Sequence, residues 1–348
     1  MVIRPRRSPL PSPQVLRRDL AVKIVLIFLL FAAAVLLTLG VGVQSVPSST
    51  LRAILRGYDP QDPMQVVLAE IRLPRLAAGL IAGVALGVAG SLMQALTRNP
   101  LADPGLLGVN AGAAFAVVVG ALLLGRTDAA TLAALAFPGA AIAAAAAFLL
   151  GGGLSGTPSP VRLTLAGVAI SALLYAVVNG LVLIRGDALE VFRFWVAGTL
   201  AEGLQKPLAA LALITLAGWL LGLLLAPLLE TLALGHNLAR GLGTSPLRVQ
   251  GGALLAITLL TGAGVAVAGP IAFLGLIVPP LSRRLAGPDL RRELLAAPFL
   301  GAAVLLLADG AGRLILAPAE VRVGIMTAIL GGPVFIWIAR SLRPGEQR

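Results

Sequence analysis

The chain has 348 residues, 58% of them hydrophobic and 12% charged, with a mean hydropathy of +0.97 and a formal charge of +12. This balance excludes an ordinary soluble domain and predicts an all-α polytopic membrane protein. With no cysteine and a single histidine, His236, the chain has neither a disulfide framework nor a histidine-rich metal site, and its scattered basic residues form no basic-aromatic patch for nucleic acid.

Residues 1–20 carry prolines among arginines and read as a disordered, basic cytoplasmic arm attracted to anionic lipid headgroups. The charge-free run 24–51 exceeds the roughly 7–15 residues of a signal-peptide core and is expected to be an uncleaved first span. Arg72 and Arg75 then bracket a proline at the mouth of a second span, 76–97, long enough to cross a hydrocarbon core of roughly 30 Å. Gly79, Gly83 and Gly87 recur every fourth residue along it, a spacing that lets a neighbouring helix approach closely. A polar turn containing Arg98, Asn99, Pro100 and Asp103 follows, then apolar runs at 104–125, 129–161, 163–184 and 207–229.

The run 249–282 is too long for one helix and contains Gly269-Pro270, where a helix would break, so it is read as two spans, the second short. Runs at 294–308 and 323–339 complete ten. With ten spans and both termini inside, most of the 27 Lys and Arg residues fall on inside segments; with nine, most fall outside. Residues 21–342 thus form a single ten-helix domain, with 343–348 as a cytoplasmic tail.

Hardly any ionisable residue lies deep in a span; the deep polar candidates are neutral, namely Gln94, Asn110, Ser171, Tyr175 and Asn179. Proton-coupled carriers place carboxylates or histidines there. Neither lysine, Lys23 nor Lys206, sits in a P-loop, so energy enters through a partner or the protein is a passive pore. The cytoplasmic segment around 230–248 is the candidate contact. Leu238 and Leu242 are i, i+4 neighbours on a short helix that Gly243 can cap, suited to a groove in another protein or to the lipid surface. Arg72, Arg75 and Arg313 lie outside against the charge rule. Docking a partner, snorkelling to lipid phosphate and, for Arg313, an i, i+4 pair with Asp309 are the competing readings.

The chain resembles the FecCD family, permease subunits of ABC importers for iron chelates, haem and cobalamin. The residues carrying the resemblance are Ile71-Arg-Leu-Pro-Arg75, Gln94-Ala-Leu96, Asn99-Pro-Leu-Ala-Asp-Pro-Gly-Leu-Leu-Gly108, Leu234-Gly235 with Ala239-Arg240 and Leu242-Gly243, and Gly269-Pro-Ile-Ala-Phe-Leu-Gly-Leu-Ile-Val-Pro279. Leu307-Ala-Asp309 with Arg313, Pro318-Ala-Glu320, Gly324-Ile325 and Gly331-Gly-Pro-Val-Phe335 complete it, so that it covers about residues 20–342. The family's Pro-His pair is Pro279-Pro280 in this chain.

The resemblance implies a type II ABC importer permease in the inner membrane, a homodimer or close heterodimer of ten-span subunits with the pathway along its axis. It is a transport subunit rather than an enzyme: two cytoplasmic ATPase subunits hold ATP and Mg and dock at Gly235, Ala239, Arg240, Leu242 and Gly243, and this chain carries no cofactor of its own. A substrate-binding protein docks outside on Arg72, Arg75 and Arg313. Ser159 and Pro160 belong to a cytoplasmic gate, with a plain flexible connector as the alternative for that loop. The segments 192–198 and 331–335 look more like those of ferric-siderophore members than of cobalamin ones; haem is the close alternative, cobalamin a further one within the family, and an ion- or proton-coupled secondary carrier is the alternative of a different class.

Overall fold

The computed structural model describes residues 13–40, 47–54, 56–153 and 159–341. Among these the chain is helical throughout, in the order α1 (Pro13–Gly40), α2 (Ser48–Ile54), α3 (Pro63–Val66), α4 (Leu73–Thr97), α5 (Val109–Leu124), α6 (Ala129–Phe148) and α7 (Pro160–Ile184). Then come α8 (Gly186–Val196), α9 (Leu208–Ala233), α10 (His236–Gly241), α11 (Pro246–Ala268), α12 (Leu274–Ala286), α13 (Leu290–Ile315) and α14 (Val323–Ser341). Eight helices among the described residues are long and apolar enough to cross a membrane. α5 and α12 occupy the other two expected spans but are shorter.

The centre of the bundle is α4, α11 and α13. In α4, 78% of the apolar window is buried within the chain, against 11% in α7, which leaves α7 facing outward. Glycine lets α4 pack this closely. A Cβ at Gly83 would lie 2.5 Å from Ala302 Cα, and one at Gly90 would lie 2.2 Å from the Gly275 carbonyl oxygen, so α13 and α12 approach α4 backbone to backbone. Where lipid supplies no hydrophobic drive between helices, such close contact is the main source of attraction. The expected stripe at 79, 83 and 87 therefore faces α13, and it extends to Gly90.

The split of 249–282 falls where Gly269 and Pro270 place it. α11 ends at Ala268, Gly269 takes φ 74° and Phe273 takes φ 66°, and α12 starts at Leu274. At 13 residues, α12 is about 20 Å long and cannot cross a bilayer alone.

Three boundaries differ from the sequence reading. α1 begins at Pro13, inside the segment expected to be an arm, because proline at the first helical position forfeits only an N–H that would be unbonded anyway. The first span ends at Gly40 rather than 51, with α2 beyond residues 41–46, which lie outside the described set, as does the rest of the arm. The third span starts at Val109 rather than 104. Asp103 accepts the Gly105 N–H at 2.8 Å and starts a 3₁₀ turn, Pro104–Leu107, that Gly108 closes at φ 78°.

The path of the chain gives the bundle two ends. α4, α9, α12 and α14 start at the upper end, where α1, α7, α11 and α13 finish.

Candidate functional site

At the upper end, a π-helical turn, Val67–Arg72, joins α3 to α4 and directs Arg72 and Arg75 inward. The Arg75 guanidinium grips Asp309 through Nε at 2.9 Å and Nη2 at 2.7 Å, and its Nη1 reaches Glu320 at 2.7 Å. Arg313 approaches the same Asp309 carboxylate at 3.3 Å, one turn along α13, and donates to the Thr38 carbonyl. Arg72 donates to the Leu39 carbonyl. The three expected docking arginines therefore converge at one corner with the end of α1. Their side chains are enclosed: Arg75 is 9% exposed and Asp309 2%, whereas Glu320 is 37% exposed and marks the side open to solvent. A buried ion pair is tolerated only where hydrogen bonds satisfy both partners, which the Arg75 fork achieves. The i, i+4 pairing of Arg313 with Asp309 is present as well.

Beside this corner lies a cavity of about 600 Å³ walled by the upper ends of α5, α6 and α11, by α8 and by the segment before α9. α8 presents Asp187, Glu190, Val191, Phe194 and Trp195 to it, positions that share one helix face. Lys206 Nζ donates to the Val267 carbonyl at 2.7 Å, closing the last turn of α11, where a cation suits the helix dipole. Burial pulls its ammonium below the usual lysine range, with Glu202 acting the other way. At the rim the Arg193 and Arg322 guanidiniums stand 5.0 and 4.9 Å from the centroid of the Phe194 ring, and Arg322 also donates to the Phe194 carbonyl at 2.6 Å.

The lower end carries the expected short helix. Gly235 at φ 111° admits α10, and Gly243 at φ 79° follows it, donating to the Arg240 carbonyl. Leu234, Leu238 and Leu242 are exposed, as is Arg240, but Ala239 is fully buried against its own chain. Of the five coupling residues inferred from the motif, Ala239 thus anchors the helix, while Arg240 and Leu242 present its surface. Ser159 caps α7, its Oγ accepting the Arg162 N–H at 3.3 Å, and Pro160 takes the first helical position. Residues 154–158, the body of the expected gate loop, lie outside the described set.

Sequence reasoning missed a second, half-buried ion pair near the lower end. Arg283 of α12 joins Glu293 of α13 at 3.2 Å and the Gln94 amide oxygen of α4 at 2.7 Å. Glu230 accepts the Leu290 N–H at the start of α13, at 2.7 Å. Gln94 was visible as a deep polar residue; its partner, far along the chain, was not. Asn110 lines a small cavity with Asp103 and Thr261, and Ser171 donates to the Gly167 carbonyl one turn back. Among the described residues no three His, Cys, Asp or Glu side chains come together as a metal site.

The sequence profile of the FecCD transport family matches residues 28–341. The chain is 44% identical to the ferric enterobactin transport system permease protein FepD of Escherichia coli over 94% of its own length and 97% of the relative's. It is 40% identical to the hemin transport system permease protein HmuU of Yersinia pestis over 90% and 94%. Among solved structures, a chain from a transporter assigned to the metal-chelate type of ABC transporter, in an inward-facing conformation, superposes with a TM-score of 0.78. That match has 27% identity and covers 93% of this chain and all of the other.

Proposed function

The chain belongs to the FecCD transport family, and on that premise we infer that it is the multi-pass permease subunit of an ATP-driven importer for a ferric siderophore. The observation that carries the reading is the family match along almost the whole span-forming sequence, joined to a lower surface built for contact rather than for chemistry. The 44% relative handles ferric enterobactin, which favours a siderophore; the 40% relative handles hemin and keeps haem as the second reading.

The upper end faces outside and both termini lie in the cytoplasm, as the distribution of arginines supports. α10 receives the ATPase through Leu234, Leu238 and Leu242 with Arg240. Because α10 packs between α9 and α11, and α11 lies along α4, a push on α10 passes directly into the core. ATP and Mg belong to the partner; this chain supplies the lever. Ser159 and Pro160, at the start of the outward-facing α7, form part of the inner gate, and a second subunit covers that helix.

Outside, the corner formed by Arg72, Arg75 and Arg313 receives carboxylates of the binding protein. Three cations against Asp309 and Glu320 leave that corner positive, which favours an incoming carboxylate. Arg75 is committed to Asp309, so the approach is from the Glu320 side.

Radio-iron uptake into vesicles tests the whole reading. Uptake of a ferric siderophore is expected only with the ATPase, ATP and the binding protein all present. Uptake that persists without the ATPase, driven by an ion gradient, refutes it in favour of a secondary carrier.

A further inference from the structure

Resting on the reading of the chain as an iron-chelate permease, we propose that Arg193, Phe194 and Arg322 form a recognition platform for catecholate groups, the anionic aromatic arms of a tris-catecholate iron chelate.

Two guanidiniums stand within 5.0 Å of one phenyl centroid, and among the described residues neither is within ion-pair distance of a carboxylate. Two cations beside one ring repel each other, and the ring's quadrupole offsets only part of that. A structural role would be expected to bury the set or supply an acid. Instead Phe194 is 44% exposed and Arg193 is exposed. Arg322 is held in place by its bond to the Phe194 carbonyl, so the platform is organised before anything binds.

Its position suits a ligand on its way into the bundle. Phe194 and Arg322 rim the 600 Å³ cavity, a volume within the range of small-molecule sites, and Trp195 adds a second aromatic wall. Glu190 and Glu202 line the same cavity. The cavity therefore has no bulk positive potential, and selection must come from the local geometry of the platform.

The geometry favours a chelate that joins an aromatic face to anionic oxygens over one that does not. A catecholate places anionic oxygens on the edge of an aromatic ring, so one group can stack on Phe194 or a guanidinium plane while accepting charge-assisted hydrogen bonds. Hydroxamate chelates lack the aromatic face, and citrate chelates offer carboxylates without it. The segment 192–198, which set this chain near siderophore members by likeness, thereby acquires a chemical role.

The test uses the permease with its ATPase in lipid nanodiscs and three radio-iron probes: an iron(III) tris-catecholate, a ferric trihydroxamate and iron(III) citrate. Arg193→Gln, Arg322→Gln and Phe194→Leu are each expected to weaken retention of the catecholate by about tenfold or more, leaving the hydroxamate unchanged. Arg193→Lys keeps the charge but not the planar fork and is expected to fall between. Wild-type catecholate affinity in both glutamine variants overturns the proposal, as does an equal loss for all three probes, the mark of general damage. Weaker docking of the binding protein with intact chelate affinity overturns it too, by reassigning the arginines to a protein contact. Failure of the wild type, reconstituted in vesicles with all partners present, to import any of the three removes the importer reading itself, a result distinct from these.

Discussion

Replacing Asp309 with Asn isolates the buried charge at the upper corner. The substitution keeps volume and one acceptor oxygen but leaves Arg75 and Arg313 facing a neutral group. Asp309 is 2% exposed and meets Arg75 through two N–H···O bonds under 3.0 Å, so water cannot replace the lost charge. Breaking a buried pair on one side costs about 3–5 kcal/mol. Glu320 remains on Arg75 but is partly solvated, so it recovers only a small share. For a chain of this size the loss corresponds to a drop in thermal midpoint on the order of 10 °C. The assay is size-exclusion detection of detergent-solubilised protein after a temperature series, run beside Glu320→Gln, whose solvent-facing bond should cost less than about 2 kcal/mol. A paired apolar replacement, Arg75→Met with Asp309→Leu, is expected to regain much of the stability, because it removes the uncompensated charge. An Asp309→Asn midpoint within a degree of wild type would falsify the view that this pair is desolvated.

Leu238→Glu should abolish co-purification of the ATPase while the permease elutes normally, whereas Ala239→Glu should lower folded yield by burying a charge; equal behaviour of the two would contradict the assigned faces of α10. Single cysteines at Leu189 and Ala317 are expected to label from outside intact cells and those at Leu234 and Pro288 are not; external labelling at Pro288 would defeat the division of 249–282 into two helices. Leu189 serves because its neighbour Ala188 is fully buried, and Pro288 because Gly287 holds φ 100°. Gly83→Val should separate α4 from α13 and cost folded yield more than Gly57→Val, where an added Cβ meets nothing within 4 Å; similar yields would refute the backbone contact. Glu293→Gln should loosen α12 from α13 and lower the thermal midpoint, and an unchanged midpoint would show that Arg283 is already solvated.

Much of the helix layout could be read from the sequence because the rules involved are local. Proline lacks an N–H and glycine tolerates positive φ, so Gly269-Pro270 had to interrupt a helix wherever the remainder packed. The glycine stripe of α4 is equally local in origin, since spacing alone puts its members on one face. The ends of elements were less visible. Pro104–Leu107 looks apolar and charge-free, yet an Asx-type bond from Asp103 turns it into a 3₁₀ turn. At the upper corner the sequence offered the Arg313–Asp309 pair, four residues apart, but not the stronger Arg75–Asp309 fork, because nothing local links positions so distant. The same holds for Arg283 with Gln94. Ala239 illustrates a further limit: its motif position suggested contact with a partner, while its burial depends on how α10 lies across α9 and α11, which no periodicity encodes.

The shortness of α12 bears on how the protein is made. A segment of 13 residues carrying Arg283, Arg284 and two prolines is a poor substrate for membrane insertion on its own, since such lengths fall below what holds a helix across lipid. Its lodging is the wall of α4, through Gly90 and Gly275, and the side of α13, through Arg283 and Glu293. The second of those surfaces does not exist until ribosomes have passed residue 315. α12 therefore finds α4 already in place as it emerges and gains its second wall, with the carboxylate for Arg283, only when α13 follows. A destabilised α13 would leave one side of α12 uncovered and Arg283 without its carboxylate.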